Sequence, residues 1–209
     1  MSYAVKEIFL TLQGEGAQAG RRAVFVRFTG CNLWSGREAD RKKAICQFCD
    51  TDFVGTDGPG GGVFETPSQL VHQILETWGG AGARPFVVFT GGEPLLQLDE
   101  KLLATVKAQG IEIAVESNGT LAAPGGIDWL CISPKAGSDL LQLYGDELKL
   151  VWPQDIDPSS LLGLDFSEWR LQPKDGPDFA QNLAETVDYC LEHPPWILSL
   201  QQHKIFGLP

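Results

Sequence analysis

Two short apolar runs in this chain end in residues that carry chemistry. Ala23-Val24-Phe25-Val26-Arg27-Phe28-Thr29 leads straight into Gly30-Cys31, and Phe86-Val87-Val88-Phe89 leads into Thr90-Gly91-Gly92-Glu93-Pro94. Apolar runs of this length suit strands buried on both faces, the habit of parallel sheets covered by helices. In parallel α/β folds the functional edge lies at the carboxyl ends of the strands. A cysteine and a glycine pair at that edge constrain fold and site together.

The rest of the chain extends the pattern. Ile111-Glu112-Ile113-Ala114-Val115 reads as a third strand, with further candidates at Asp128 to Ile132, Glu147 to Val151, Trp169 to Leu171 and Trp196 to Leu200. Thr66-Pro67-Ser68-Gln69 is a capping box with proline at the first helical position, and Gly79 is the stop. A second helix is expected from about Asp99 to Gln109. A third starts near Asp178, a capping residue with Gln181 three on, and ends before Pro194-Pro195. Pro134, Pro153, Pro158 and Pro173 exclude a long helix between residues 130 and 175. The alternation gives the α/β class. A closed eight-fold barrel needs about 250 residues, so 209 favour an open, shortened partial (β/α) barrel with about six to seven mainly parallel strands and three main helices. Residues 1–209 read as one domain with a loop insertion at 32–45. Residues 7–16 read as a segment preceding the first strand, and residues 55–62 as a flexible link.

Formal charge is 16 − 27 = −11. Phosphate binding needs clustered Lys and Arg, so a nucleic-acid partner is not expected. The one basic cluster, Arg37 to Lys43, also holds Glu38 and Asp40 and reads as a solvated loop. No apolar run approaches the 18 or so residues of a membrane span. The N-terminus lacks the basic and apolar regions of a signal peptide, which makes the cytoplasm the expected location.

In that compartment the five cysteines should be reduced thiols. Cys131 and Cys190 have apolar neighbours and read as core residues. Cys31, Cys46 and Cys49 remain as soft ligands for iron–sulfur or zinc. Zinc would need a fourth ligand such as His72 or His203. A four-iron cluster normally takes four thiolates, so three leave one iron open for chemistry. Gly91-Gly92, where backbone can approach a ligand closely, favours the second reading.

Cys46-Gln47-Phe48-Cys49 and Gly91-Gly92-Glu93-Pro94 together resemble the radical S-adenosylmethionine (SAM) superfamily, whose usual spacing is Cys-x3-Cys-x2-Cys. Here fourteen residues separate Cys31 from Cys46, an insertion that loop entropy tolerates because its cost grows only logarithmically. With the string Glu7 to Gly16, Cys49-Asp50-Thr51, Ser133-Pro134-Lys135, Gln172-Pro173-Lys174-Asp175 and Pro209, the chain resembles the 7-carboxy-7-deazaguanine synthase family. That resemblance implies a lyase converting 6-carboxy-5,6,7,8-tetrahydropterin to 7-carboxy-7-deazaguanine with loss of ammonia, on the way to deazapurines such as queuosine. It implies a 4Fe-4S cluster on Cys31, Cys46 and Cys49. SAM contacts fall to Phe48, Gly92, Glu93, Ser117, Ser133, Pro134, Lys135, Gln172, Pro173, Lys174 and Asp175, with Asn118 a weaker candidate. Mg²⁺ falls to Thr51, and substrate contacts to Leu12, Gln13, Gly14 and Thr90. It also implies an electron-donor protein such as a flavodoxin or ferredoxin, and a homodimer.

Three residues carry an argument of their own. Arg27 faces the same way as Phe25 and Thr29, so if buried it needs a partner, which a substrate carboxylate supplies in bidentate form. Gln13 and Glu15 offer the donors and acceptors that a pterin edge requires, although Gly14 and Gly16 also fit an ordinary turn. His203 and Pro209 are expected to close the pocket. Two rivals remain at this point: a radical SAM activase that places a glycyl radical on a partner protein, and a non-catalytic zinc-stabilised binding module.

Overall fold

The computed structural model describes residues 2–80 and 82–209. Among the described residues nine strands, β1 (Tyr3–Leu12), β2 (Arg22–Phe28), β3 (Gly62–Phe64), β4 (Phe86–Gly91), β5 (Glu112–Ser117), β6 (Trp129–Ile132), β7 (Tyr144–Trp152), β8 (Asp165–Pro173) and β9 (Ile197–Leu198), form one sheet. Its order is β3-β1-β2-β4-β5-β6-β7-β8-β9, open between β3 and β9. From β2 to β9 every pairing is parallel. Those seven strands are the ones expected from the apolar runs.

The antiparallel edge is a correction. Residues 7–16 do not simply precede the first strand, because Tyr3–Leu12 pairs antiparallel with β2. Residues 55–62 are not a loose link. Gly58 N–H donates to Lys6 O, Ile8 N–H donates to Pro59 O, and Gly62 opens β3 against Val5. Side chains on Gly60 or Gly61 would press on the backbone of β1, which is why the link is glycine-rich.

Helices α1 (Pro67–Trp78), α2 (Glu100–Ala108) and α3 (Phe179–Glu192) cover one face, and the short α4 (Gln202–Phe206) crosses the other. Both arms of the Thr66–Gln69 capping box form, and Gly79 ends α1 at φ 72°. Asp99 caps α2 through Leu102 N–H. Asp178 precedes α3 without a side-chain cap, and Gln181 turns instead to Glu185. Leu70 and Ile74 of α1 and Leu102 and Val106 of α2 bury against Val24, Val26, Phe89 and Val115 of the sheet. Cys190 packs at the margin of this core, and Cys131 is buried. No helix among the described residues is long and apolar enough to cross a membrane.

The sheet's other face curls inward and carries two layers. Near the amino ends lies a small apolar plug of Ala23, Phe86, Val88 and Ala114. Above it the strand register lays polar residues side by side. Arg27 is opposite Thr90, Glu116 opposite Cys131, Cys131 opposite Glu147, and Glu147 opposite Glu168.

Candidate active site

The carboxyl ends of these strands open into one cavity of about 350 Å³, within the range of about 300–1,000 Å³ usual for small-molecule sites. Cys31, Cys46 and Cys49 all line it. Leu33 N–H donates to the Cys31 sulfur at 3.4 Å. Burial pushes the Cys31 thiol up, opposed by the N–H groups of Leu33 and Trp34. Burial also raises Cys46, opposed by the charge of Lys135. The inserted loop is held shut locally. Ile45 and Cys46 N–H both donate to Leu33 O. Arg41 lies 4.0 Å over the Trp34 ring and donates to Gln47 O and Cys49 O, each at 3.0 Å. The basic run is therefore not merely a solvated loop, since one of its arginines braces the thiol pair.

These groups suit an iron–sulfur cluster better than a single metal ion. Among the described residues no three His, Cys, Asp or Glu side chains converge tightly enough to hold an ion. A zinc site needs its thiolates about 2.3 Å from one centre, whereas a cubane takes them on separate irons. His72 is exposed and pairs with Glu76 on α1. Lys135 has no carboxylate partner among the described residues; it donates to Ser133 O and Oγ and lies 6.0 Å from the Phe48 ring. Burial lowers its pKa, and Cys46 and Cys49 pull the other way. An unpartnered cation beside three thiols fits an anionic cluster and the carboxylate of a cofactor.

Both glycines of the second motif are sterically required. Gly91 has φ 127°, and a side chain there would enter the Phe28 backbone. A side chain on Gly92 would collide with Gly30 O, the atom that accepts from Glu93 N–H at 2.9 Å. The close approach locks β4 to the turn carrying Cys31. Glu93 itself is a correction, because its carboxylate does not face the cavity. It is fully buried and takes Ser117 Oγ, Asn118 N–H and Leu95 N–H at 2.8–3.0 Å. Pro134 is also outside the lining; it is buried, and its carbonyl accepts from Gln154.

The cavity does receive Phe48, Thr51, Gly92, Ser117, Asn118, Ser133 and Lys135, together with Gln172 and Pro173 at the end of β8 and Lys174 and Asp175 beyond it. It also receives Leu12, Gln13, Gly14, Glu15, Arg27, Thr90, His203 and Pro209. Arg27 has a partner that the sequence did not suggest. Its Nε donates to Glu7 at 2.7 Å, while its two terminal amino groups have no partner among the described residues. Gln13 is engaged too, donating to Glu116 at 2.8 Å and accepting from Glu15 N–H at 3.1 Å.

Two charged wall residues escaped sequence reasoning. Lys149 is buried and bridges Glu15 at 2.5 Å and Glu116 at 3.3 Å. Burial opposes its charge, but Glu116 and Glu15 outweigh that and hold its pKa well above the usual lysine value. Burial likewise opposes the charge of Glu15, yet Lys149 holds that carboxyl down at about 2. Charged residues at every second position of buried strands, as in Glu147-Leu148-Lys149, were the available signal.

The C-terminal segment roofs the cavity. Gln202 N–H donates to Gly14 O and Thr11 Oγ donates to Pro209 O. Gly14 has no room for a side chain because His203 lies against it. Lys204 ties Asp50, beside Cys49, to Asp175, beyond β8, at 2.7 and 2.6 Å.

Known proteins point the same way. Residues 41–149 match the family model described as the Radical SAM superfamily. Two proteins named 7-carboxy-7-deazaguanine synthase, from Bradyrhizobium diazoefficiens and Caulobacter vibrioides, are each 58% identical over the full length of both chains. The crystal structure of QueE from Escherichia coli shares the fold, with a TM-score of 0.72 at 24% identity over 97% of this chain and 95% of that one. The chain belongs to the radical SAM superfamily and, within it, to the 7-carboxy-7-deazaguanine synthase family.

Proposed function

We infer that this protein is a radical SAM lyase that converts 6-carboxy-5,6,7,8-tetrahydropterin to 7-carboxy-7-deazaguanine, with ring contraction and loss of ammonia, in deazapurine formation. The observation that carries the reading is one cavity holding three thiols and a guanidinium whose two amino groups have no partner among the described residues. Cys31, Cys46 and Cys49 are the residues that would hold the 4Fe-4S cluster. When bound, cluster and SAM supply a 5′-deoxyadenosyl radical, so hydrogen abstraction belongs to the cofactors.

The chain's own task is to bind, orient and exclude water. Gly92 N–H donates to Phe28 O, so the Gly92 carbonyl is the backbone group that meets the methionine part of SAM, and Lys135 offers a charge to the SAM carboxylate. Phe48 borders the adenine, and Ser117, Ser133 and the segment from Gln172 to Asp175 frame the rest. Arg27 takes the substrate carboxylate with the two amino groups that Glu7 leaves free. Leu12, Gln13, Gly14, Thr90 and His203 surround the ring, with Pro209 at the rim. Glu15 and Glu116, fixed by Lys149, keep lone pairs for the amino edge of a pterin. Thr51 would meet Mg²⁺ together with waters and the substrate, because one hydroxyl is a weak ligand by itself. A flavodoxin or ferredoxin as donor, a homodimer and a cytoplasmic location complete the proposal. A glycyl-radical activase would have no use for the Arg27 pocket.

The test is anaerobic reconstitution followed by assay with SAM and the carboxytetrahydropterin. A brown protein with about four irons that releases deazaguanine product is expected. A colourless protein would remove the radical reading. SAM cleavage without deazaguanine would remove the substrate.

A further inference from the structure

Behind the Gln13–Glu15–Glu116 wall lies a second cavity, of about 10 Å³. That is about the room one water needs, provided polar groups surround it. They do: Glu15, Glu116 and Glu147 all border it, with Gln18, Trp129 and Cys131. Glu147 is only 2% exposed. One of its oxygens accepts from Ala17 N–H at 3.0 Å and Trp129 Nε1 at 3.2 Å. The other oxygen is buried and has no hydrogen-bond partner among the described residues. A side chain at Gly16, which has φ 66°, would occupy that oxygen's place, so glycine there admits the carboxyl. Buried polar atoms are rarely left alone, and an orphan oxygen on a residue that borders a one-water cavity points to a water site.

Glu116 borders both cavities. Among the described residues Glu15 and Glu116 are the carboxylates that border both; Glu15 is in the shorter pair with Lys149, whereas Glu116 meets Lys149 at 3.3 Å and accepts from Gln13 at 2.8 Å. The charges facing Glu147 come from every neighbouring element: Glu116 on β5, Cys131 on β6, Lys149 on β7 itself, Glu15 beyond β1, and Glu168 on β8, which is paired with Arg170. Burial raises the Glu147 carboxyl and Glu116 adds to that, while Lys149 and the Ala17 N–H oppose it.

We propose that Glu147 is a proton store for the reaction: as a neutral acid it holds one water in the small cavity, and through that water it exchanges a proton with Glu116 on the active-site wall. The proposal rests on the lyase reading above. Loss of ammonia breaks a C–N bond whose electron pair leaves with nitrogen, and nitrogen must take up a proton to depart. Glu116, recharged from Glu147 through the water, gives that proton. Aromatisation then releases a C–H proton, which Glu116 accepts and returns to Glu147. Nitrogen leaves as neutral ammonia, both carboxyls end as they began, and no oxidant or reductant is consumed. Glu147 does not touch the substrate and acts only through Glu116.

The experiment compares reconstituted wild-type enzyme with Glu147→Gln, which keeps the shape and the acceptor for Ala17 but cannot yield a carboxyl proton. Expected are unchanged iron content and melting temperature, product formation slowed at least about tenfold, a larger solvent deuterium effect on kcat and an altered pH profile. The infrared carbonyl band of a neutral carboxyl should be present in resting wild-type enzyme and absent from Glu147→Gln, so that it stands out in their difference spectrum. Ala114→Val, which fills the cavity wall, should reproduce the kinetic loss and keep the band. Wild-type rate and pH profile in Glu147→Gln would overturn the proposal alone, as would absence of the band. A loss equal at every pH with a lowered melting temperature would reduce Glu147 to a structural prop and overturn it too. A wild-type enzyme making no deazaguanine would overturn the lyase reading itself, and the relay with it.

Discussion

On β7, Leu148 and Leu150 are fully buried in the large apolar core, while Glu147 and Lys149 are almost as deeply buried on the opposite face. The same strand thus serves two interiors. The outer one is held by transfer of apolar surface from water, roughly proportional to area and indifferent to direction. The inner one is held by directed pairs, Lys149 to Glu15 and Glu116, Gln13 to Glu116, Arg27 to Glu7. A buried pair stabilises little in net terms but fixes geometry, and loss of one member leaves an uncompensated charge. The outer face should therefore tolerate shape changes gradually, and the inner face should fail abruptly.

The hardest test of that contrast is Lys149→Met, which keeps length and burial but strands two carboxylates. A loss of about 3–5 kcal/mol is expected, with no measurable product. The pH dependence gives the sign. In the wild type Glu15 is depressed to about 2 from an unfolded value near 4.5, so its stabilisation is present above 4.5 and fades as pH falls toward 2. Without Lys149 burial, the largest influence on Glu15, is opposed only by the hydrogen bonds from Gln201 and Gln172, so the folded pKa rises and ionisation above 4.5 now destabilises. The gap in melting temperature between the two proteins should widen from pH 4 to pH 7. A constant gap would mean that Lys149 acts through packing alone.

Next in size is Leu102→Ala on the outer face, where α2 meets the sheet. It should cost about 2–5 kcal/mol by lost transfer and a residual cavity. Turnover per folded molecule should stay at the wild-type value at temperatures where both remain folded. A changed KM would show that the faces are coupled and would break the comparison.

The sequence disclosed these interiors unequally. The outer face was legible because Thr66-Pro67-Ser68-Gln69 caps a helix by local rules and because Val87 to Phe89 and its fellows form unbroken apolar runs. The thiol edge was legible because Cys31 and Gly91-Gly92 end two of those runs. β1 was not, since Lys6 and Glu7 interrupt its apolar positions and its register shifts between Val5 and Glu7. Glu116 and Lys149 were not, because each is a charge inside a strand, and only the partners supplied by distant segments make such burial tolerable. The side-chain direction of Glu93 was hidden too: its motif predicts a ligand contact, whereas the fold uses the carboxylate to hold the end of β5.

The smallest expected effect lies where the inner interior meets water. Lys204 joins Asp50 to Asp175 across the rim, yet its side chain is 38% exposed and its partners are more so. Exposed pairs contribute about 0–1 kcal/mol and weaken with salt. Lys204→Ala should therefore lower stability by no more than about 1 kcal/mol. Its consequence should fall on binding, because Asp50 adjoins Cys49 and Asp175 ends the segment beyond β8, so the bridge fixes the roof over both. A KM raised a few-fold at low salt with kcat preserved is expected, with wild type and variant converging as salt screens the bridge in the wild type. Equal KM values at low salt would show that Gln202 on Gly14 and Thr11 on Pro209 hold the roof without it. The boundary between the two kinds of interior would then lie at the hydrogen-bonded backbone and not at the charged rim.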